Sequence, residues 1–361
     1  MSLWKSNLIL SEIPWDYYLH PCPKFYAKEL ANYGSTIWVN PPTRNPFRLG
    51  FKKKNNLIVF TPFFFKRNFQ HAGFPRLEVR LQIRILVLLF SKKVSSVWSI
   101  STAYPHLIKD FSPAISIFWS GDFFRPIQEY KTYKNFNLLL CLTPKTYDEI
   151  PKNFSGQKCH FNMCCDLDLF KSKENTFPPI EFSKVIKEKK KYSKVIGYVG
   201  TLSARRFDFE LFLEITKNLS EVLFVVVGKS DGLPETESGI AKMLSSKNIS
   251  FINGLSYNKL PAAIAFFDIC LIPYKTDEAN IGTCPTKLID YCAMGKPVFS
   301  TKLPGVEKFG KLVNVELSSK GFVDALRDFD PKADYLSEKR MELAQSSSPR
   351  SFIKKFEALI P

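Results

Sequence analysis

Short apolar runs alternate with longer amphipathic stretches along almost the whole chain, and that alternation admits few architectures. Residues 8–10, 36–39, 57–61, 97–100, 115–119 and 138–143 read as strands, with helical spacing over 24–32, 77–90 and 102–111. A second series has strands at 195–200, 222–227, 249–253, 269–273, 297–301 and 312–315. Its helices fall at 207–219, 235–245, 258–266, 285–294 and 321–327. Strand, crossover helix and parallel strand in repetition is the α/β pattern. Between the two series, residues 166–194 hold Pro178, Pro179 and the basic run KVIKEKKKYSK, which is linker composition with room for a short helix in its middle. The expected organisation is therefore two doubly wound, Rossmann-like domains, 1–170 and 171–348. The final stretch, 349–361, reads as an amphipathic helix that can pack back on the first. In such sheets ligands bind outside the carboxyl ends of the strands, and the default active site is the cleft between the domains.

At 361 residues the chain is longer than one core usually supports. Its net charge of +17 is uneven: residues 1–170 hold 22 Lys/Arg against 11 Asp/Glu, whereas 171–361 hold 29 against 23. Residues 41–90 concentrate the excess, with ten basic residues and one acid, Glu78, interleaved with phenylalanines. Arg76, Arg80 and Arg84 recur every four residues beside Leu77, Leu81, Ile85 and Leu88, an arginine ridge along an apolar helix. Such a mixture fits an anionic membrane surface or single-stranded nucleic acid; a buried helix with solvated arginines at its edge is the plainer alternative. The opening residues lack the apolar core of a secretory signal, and the apolar run 83–90 is far short of a membrane span, so the expected place is the cytoplasm. Eight cysteines include no C-x-x-C pair. Reduced thiols and no metal site are the expectation.

The stretch from Asp268 to Pro304 carries the strongest chemical signal. A helix opening at Pro285 would direct the free N–H groups of Thr286 and Lys287 at a loop, a seat for phosphate. Lys287 adds a cation and Asp290, one turn on, a carboxylate for ribose hydroxyls; a solvated ion pair is the competing reading. VIGYVGTLSARR ends a strand at Gly200 and Thr201, where the backbone can approach a ligand and Arg205 or Arg206 can clamp phosphate. Neither a G-x-G-x-x-G fingerprint nor a P-loop occurs. Lys229, Gly254 and Tyr274 stand at three further strand ends of the second series. In the first series Asp122 follows a strand and is a candidate general base for a hydroxyl acceptor, or a helix cap. Asp16 and His20, after the first strand, are placed on the acceptor side; His20 has no Ser or Cys partner that would suggest a hydrolase triad.

The order of these pieces resembles the GT-B glycosyltransferases. YVGTL, VVVG, LPAAIAFFDICLIPY and CPTKLIDYCAMGKPVFST carry the likeness over roughly 195–305, with IPWD, FWSGD, LTP and CDLDLF in the first half. Within the superfamily it is most similar to bacterial exopolysaccharide and teichuronate-type enzymes, including xanthan-type glucuronosyltransferases. The resemblance implies that Lys287 meets a donor diphosphate, that Thr286 lies beside the nucleotide, that Asp290 contacts hydroxyls, and that Asp122 is the base. It further implies a UDP- or GDP-sugar donor, a lipid-linked or polysaccharide acceptor, a peripheral place on the inner face of the membrane, no cofactor, no ligated metal and no nucleic-acid partner. Retaining relatives carry two glutamates with seven residues between them; Gly282 and Asp290 stand at those positions, which leans toward inversion. A nucleotide-sugar epimerase of the same fold, or a basic non-catalytic protein that binds nucleic acid or membrane, are the rival readings.

Overall fold

The structure is a computed structural model that describes residues 3–17, 22–45, 49–63, 77–91, 93–100, 107–121, 125–171 and 177–359. Asp122, His20 and Arg76 lie outside the described residues. The chain divides into two compact units, Met1–Asn162 with Pro349–Pro361, and Met163–Ser348.

The first unit is built on strands β1 (Ser6–Ser11), β2 (Ser35–Val39), β3 (Gly50–Lys54), β4 (Leu57–Thr61), β5 (Ser96–Ile100), β6 (Ile115–Trp119), β7 (Leu138–Cys141) and β8 (Gln157–His160). They form one sheet in the order β3-β4-β2-β1-β5-β6-β7-β8, parallel except for the β3–β4 hairpin. The central strands are buried along their length because helices cover both faces. The Leu77–Phe90 helix turns Val79, Ile83, Leu86 and Val87 into this core. The Pro349–Leu359 helix returns to the same unit, with Phe352 against Tyr26 and Phe161 and Phe356 against Trp98. Where β1 meets β5, Ser96 Oγ donates to Asn7 Oδ1 at 2.7 Å and accepts from Trp98 Nε1 at 3.1 Å. Asn7 Nδ2 donates in turn to Thr36 Oγ1 and to the Trp4 carbonyl. These buried polar groups are neutral and paired with one another, as buried polar groups must be.

The second unit carries β9 (Lys194–Val199), β10 (Val222–Gly228), β11 (Ile249–Asn253), β12 (Ile269–Ile272), β13 (Val298–Thr301) and β14 (Asn314–Glu316). The sheet is wholly parallel, in the order β11-β10-β9-β12-β13-β14, so its order reverses between β9 and β12. β10, VLFVVVG, is buried at every residue, as its β-branched composition demands of a strand covered on both sides. Asp208 caps the Phe209–Asn218 helix by accepting from the Leu211 N–H at 2.9 Å.

Two local features differ from the sequence reading, and a third, the short helix within the linker, agrees with it. β3 has the composition GFKKK, with no alternating pattern, and exists because Asn55 takes a left-handed turn (φ 53°) that folds it back on β4. The basic run in the expected linker is the Ser183–Lys189 helix, preceded by Phe182, whose ring packs on Phe266 and Phe267. Pro285 is not the first helical residue; it is the N-cap, extended at φ −64° and ψ 118°, and the helix runs Thr286–Ala293.

Candidate functional site

The site grows from an interruption in the second sheet. β9 and β12 pair through only two residues, Ile196 with Ile269 and Gly197 with Cys270. Beyond them the ladder opens, and the Val199 N–H, which would otherwise face a strand, donates to the Tyr291 hydroxyl at 2.9 Å. Tyr291 comes from the Thr286–Ala293 helix and is fully buried. Such an opening at the reversal of strand order is where doubly wound sheets receive ligands.

On one side of the gap stands the loop after β9. Gly200 adopts φ +136°, a conformation that other residues rarely take. A Cβ there would lie 2.6 Å from Lys287 Nζ, so the position is restricted twice over. The loop is tied to the loop after β10 by the Gly200 N–H to the Val227 carbonyl and the Leu202 N–H to the Lys229 carbonyl, both 2.9 Å. Lys229 is exposed and lays its aliphatic stem over Gly254, itself at φ +75°. Thr201 Oγ1 is buried in this loop with no hydrogen-bond partner. A buried unpaired hydroxyl invites explanation, and a ligand is one.

On the other side, Lys287 points inward from the second position of its helix. Its ammonium donates to the Tyr274 hydroxyl at 2.6 Å and the Tyr198 hydroxyl at 2.7 Å, and sits 4.0 Å from the Tyr198 ring centroid. The Tyr198 hydroxyl passes the interaction on by donating to the Thr201 carbonyl at 2.9 Å. Lysine, tyrosine and glycine loop thus form one connected relay. Burial holds the Lys287 ammonium below the usual lysine range, only partly offset by the Tyr274 oxygen, and the charge of Arg206 pushes the same way as burial. Burial would raise the Tyr274 phenol, but Lys287 beside it pulls it below its ordinary value.

Asp290 is buried one turn further along. Burial pushes its carboxyl up to about 7, against a 3.4 Å hydrogen bond from the Tyr257 hydroxyl and the Lys287 charge, both of which lower it. Tyr257 also accepts from the Asp166 N–H at 3.2 Å. A carboxyl poised near neutrality inside a charged site can exchange a proton at physiological pH.

The second unit therefore gathers Gly200, Thr201, Lys229 and Gly254 on one flank, and Tyr274, Lys287 and Asp290 on the other. Arg206 is half-buried and electrostatically coupled to Lys287 and Tyr274. Arg205 is exposed, its carbonyl held by Asn280 Nδ2 at 2.8 Å, and Thr286 is half-buried at the helix start. In the first unit Asp16 is exposed in the turn after β1, 3.7 Å from Lys52. The reading of Lys287 and Asp290 as a solvated pair fails, because both are buried. Tyr198, Tyr257 and Tyr291 escaped notice: Tyr198 lies in an apolar strand and looks like core, and the other two carry no local sign of a ligand. The sign that separates Tyr198 is its place next to the end of the strand, between Gly197 and Val199, two residues before the Gly200 loop.

Comparison with known proteins gives this geometry a context. Residues 193–329 match the family described as glycosyl transferases group 1. Over 120 residues the chain is 28% identical to the putative teichuronic acid biosynthesis glycosyltransferase TuaH of Bacillus subtilis, a match covering 32% of this chain and 29% of that relative's length. Among solved structures it is similar to the Escherichia coli trehalose-6-phosphate protein bound with UDP-2-fluoro glucose, at TM-score 0.71 and 10% identity over 99% of each chain. Sucrose-phosphate synthase from Thermosynechococcus elongatus gives TM-score 0.68 at 13% identity over 98% of each chain. Anabaena Alr3699/HepE, in complex with UDP and glucose, gives TM-score 0.67 at 13% identity over 98% of each. The fold is of the GT-B type, and the likeness to the glycosyl transferases group 1 family lies in residues 193–329.

Proposed function

We propose that this chain transfers a sugar from a nucleoside-diphosphate donor, UDP- or GDP-linked, to a lipid-linked or cell-surface polysaccharide acceptor at the inner face of the membrane. The observation that carries the reading is the buried Lys287 ammonium beneath the Gly200 loop, at the opening of the β9–β12 ladder. A cation held there, with Arg206 close by, favours the negative charge that accumulates on a departing diphosphate. The teichuronic acid biosynthesis named for the Bacillus relative supports a polymer of the cell surface, and the UDP-2-fluoro glucose and the UDP bound in two structural neighbours support the donor class.

In this reading the acceptor hydroxyl oxygen bonds to the anomeric carbon as the bond to the diphosphate oxygen breaks. Asp122 takes the hydroxyl proton, the configuration inverts, and Lys287 and Arg206 neutralise the leaving group without a metal. Asp290 holds donor hydroxyls, Thr286 lies beside the nucleotide, and Asp16 and His20 stand on the acceptor side. Titration of UDP and GDP against the wild type and Lys287→Ala, followed by calorimetry, tests the donor site. Removing the ammonium is expected to weaken the nucleotide by about tenfold or more. The near-isosteric Lys287→Met variant separates loss of charge from loss of packing. Equal affinity in all three proteins would overturn the assignment.

A further inference from the structure

The Leu77–Phe90 helix is apolar on two faces. Val79, Ile83, Leu86 and Val87 face the core, yet Leu77, Leu81, Ile85, Leu88 and Leu89 are exposed, Leu77 to 79% and Leu88 to 76%. At 3.6 residues per turn the exposed five lie on a stripe about 120° wide, opposite the buried one. Five outward leucines and isoleucines on one helix are beyond the scattered apolar residues of an ordinary surface. Arg84 is exposed at the edge of the stripe. Edge strand β3 flanks the C-terminal end of the helix: the Phe51 ring meets Phe90 at 5.1 Å, and Lys53 Nζ lies 5.7 Å from the same ring. Phe51 is half exposed, and Lys93, three residues beyond the end of the helix, is exposed as well.

We infer that this face docks on an anionic phospholipid bilayer. The helix is about 21 Å long, too short to cross a membrane that needs ~20 residues, so it would lie in the interfacial plane with its leucines among the acyl chains. Lysines on an edge strand also discourage strand-to-strand association, but that role leaves the leucines unexplained. A bilayer suits the face better than a second copy of the chain, because anionic headgroups complement Arg84 and Lys53 beside the leucines, whereas a copy brings more basic charge of the same kind. Arg80 lends no charge here; it is spent in an ion pair with Asp110. The inference rests on the proposed function, which places the transfer at the inner face of the membrane, and extends it by naming the surface and the lipid class.

Flotation with vesicles tests it, using the full chain, with neither donor nor acceptor present. Wild-type protein is expected to float with phosphatidylcholine vesicles holding about 30% phosphatidylglycerol, and at least roughly tenfold less with phosphatidylcholine alone. Leu81→Gln with Leu88→Gln should lose the anionic vesicles by a similar factor while keeping the wild-type melting temperature. Arg84→Glu with Lys53→Glu should lose the salt-sensitive part. Vesicle binding unchanged in these variants, or absent in the wild type, overturns the inference. So does an oligomer that the leucine variants dissolve in sedimentation, since the face would then be a protein interface. UDP or GDP titration of the same variants keeps the two proposals apart: nucleotide binding without vesicle binding removes only this one, and the reverse removes only the donor site.

Discussion

The two sheets reverse their strand order in the same way and fill the reversal differently. In the first unit β1 and β5 stay paired through five residues, and the polar side chains there, Asn7 and Ser96, are neutral and satisfied by one another and their neighbours. In the second, β9 and β12 part after two pairs, and the space holds a lysine, a carboxyl and three tyrosines. Equal topology thus tolerates either a sealed seam or an open one. What decides is whether side chains from the following helix supply the bonds that the ladder gives up, as Tyr291 does for Val199.

The largest test of this contrast is titration. Asp290, raised to about 7, binds its proton more tightly folded than unfolded. Its contribution to stability is present at acid pH and is lost as pH rises from about 4 through about 7, a change on the order of 4 kcal/mol. Urea unfolding at pH 5 and pH 8 should show Asp290→Asn with a flatter dependence than the wild type; parallel slopes would contradict the buried carboxyl. Next in size, Ser96→Ala should cost about 1–3 kcal/mol by leaving Asn7 and the Trp98 N–H short of a partner. That loss should not vary with pH and should leave UDP affinity intact. A change in nucleotide binding would mean that the sealed seam is not independent of the open one. The smallest effect on stability belongs to Thr201→Val. Its hydroxyl has no partner to lose, so the unfolding free energy should change by less than about 0.5 kcal/mol, while nucleotide affinity falls by roughly fivefold if a ligand uses that oxygen. A large drop in melting temperature with affinity preserved would reverse the assignment.

Strand and helix alternation was legible because β-branched runs such as VLFVVVG and helical repeats such as FELFLEITKN have incompatible periods. Lys287, Asp290 and the glycine loop were legible because they sit where short-range rules apply, at strand ends and a helix start. The tyrosines were not. Tyr198 meets Lys287 across 89 residues and Tyr291 meets Val199 across 92, and nothing in either local segment specifies that distant partner. β3 escaped for the opposite reason: its lysines violate the alternation that marks a strand, and only the Asn55 turn and the edge position make that sequence acceptable. β8, QKCH, is a polar edge strand of the same kind. The charge and phenylalanine excess in 41–90 was plain, whereas the two-faced character of its helix became visible only once one face was seen to be buried.

The relay from lysine through tyrosine to the Thr201 carbonyl has a bearing on how inactive controls should be made. Groups that serve a ligand here also close the break in the sheet, so truncating Lys287, Tyr198 or Tyr291 risks confusing a damaged scaffold with a lost contact. Thr201, which gives the scaffold no side-chain bond, is the position where recognition can be edited with the architecture left alone.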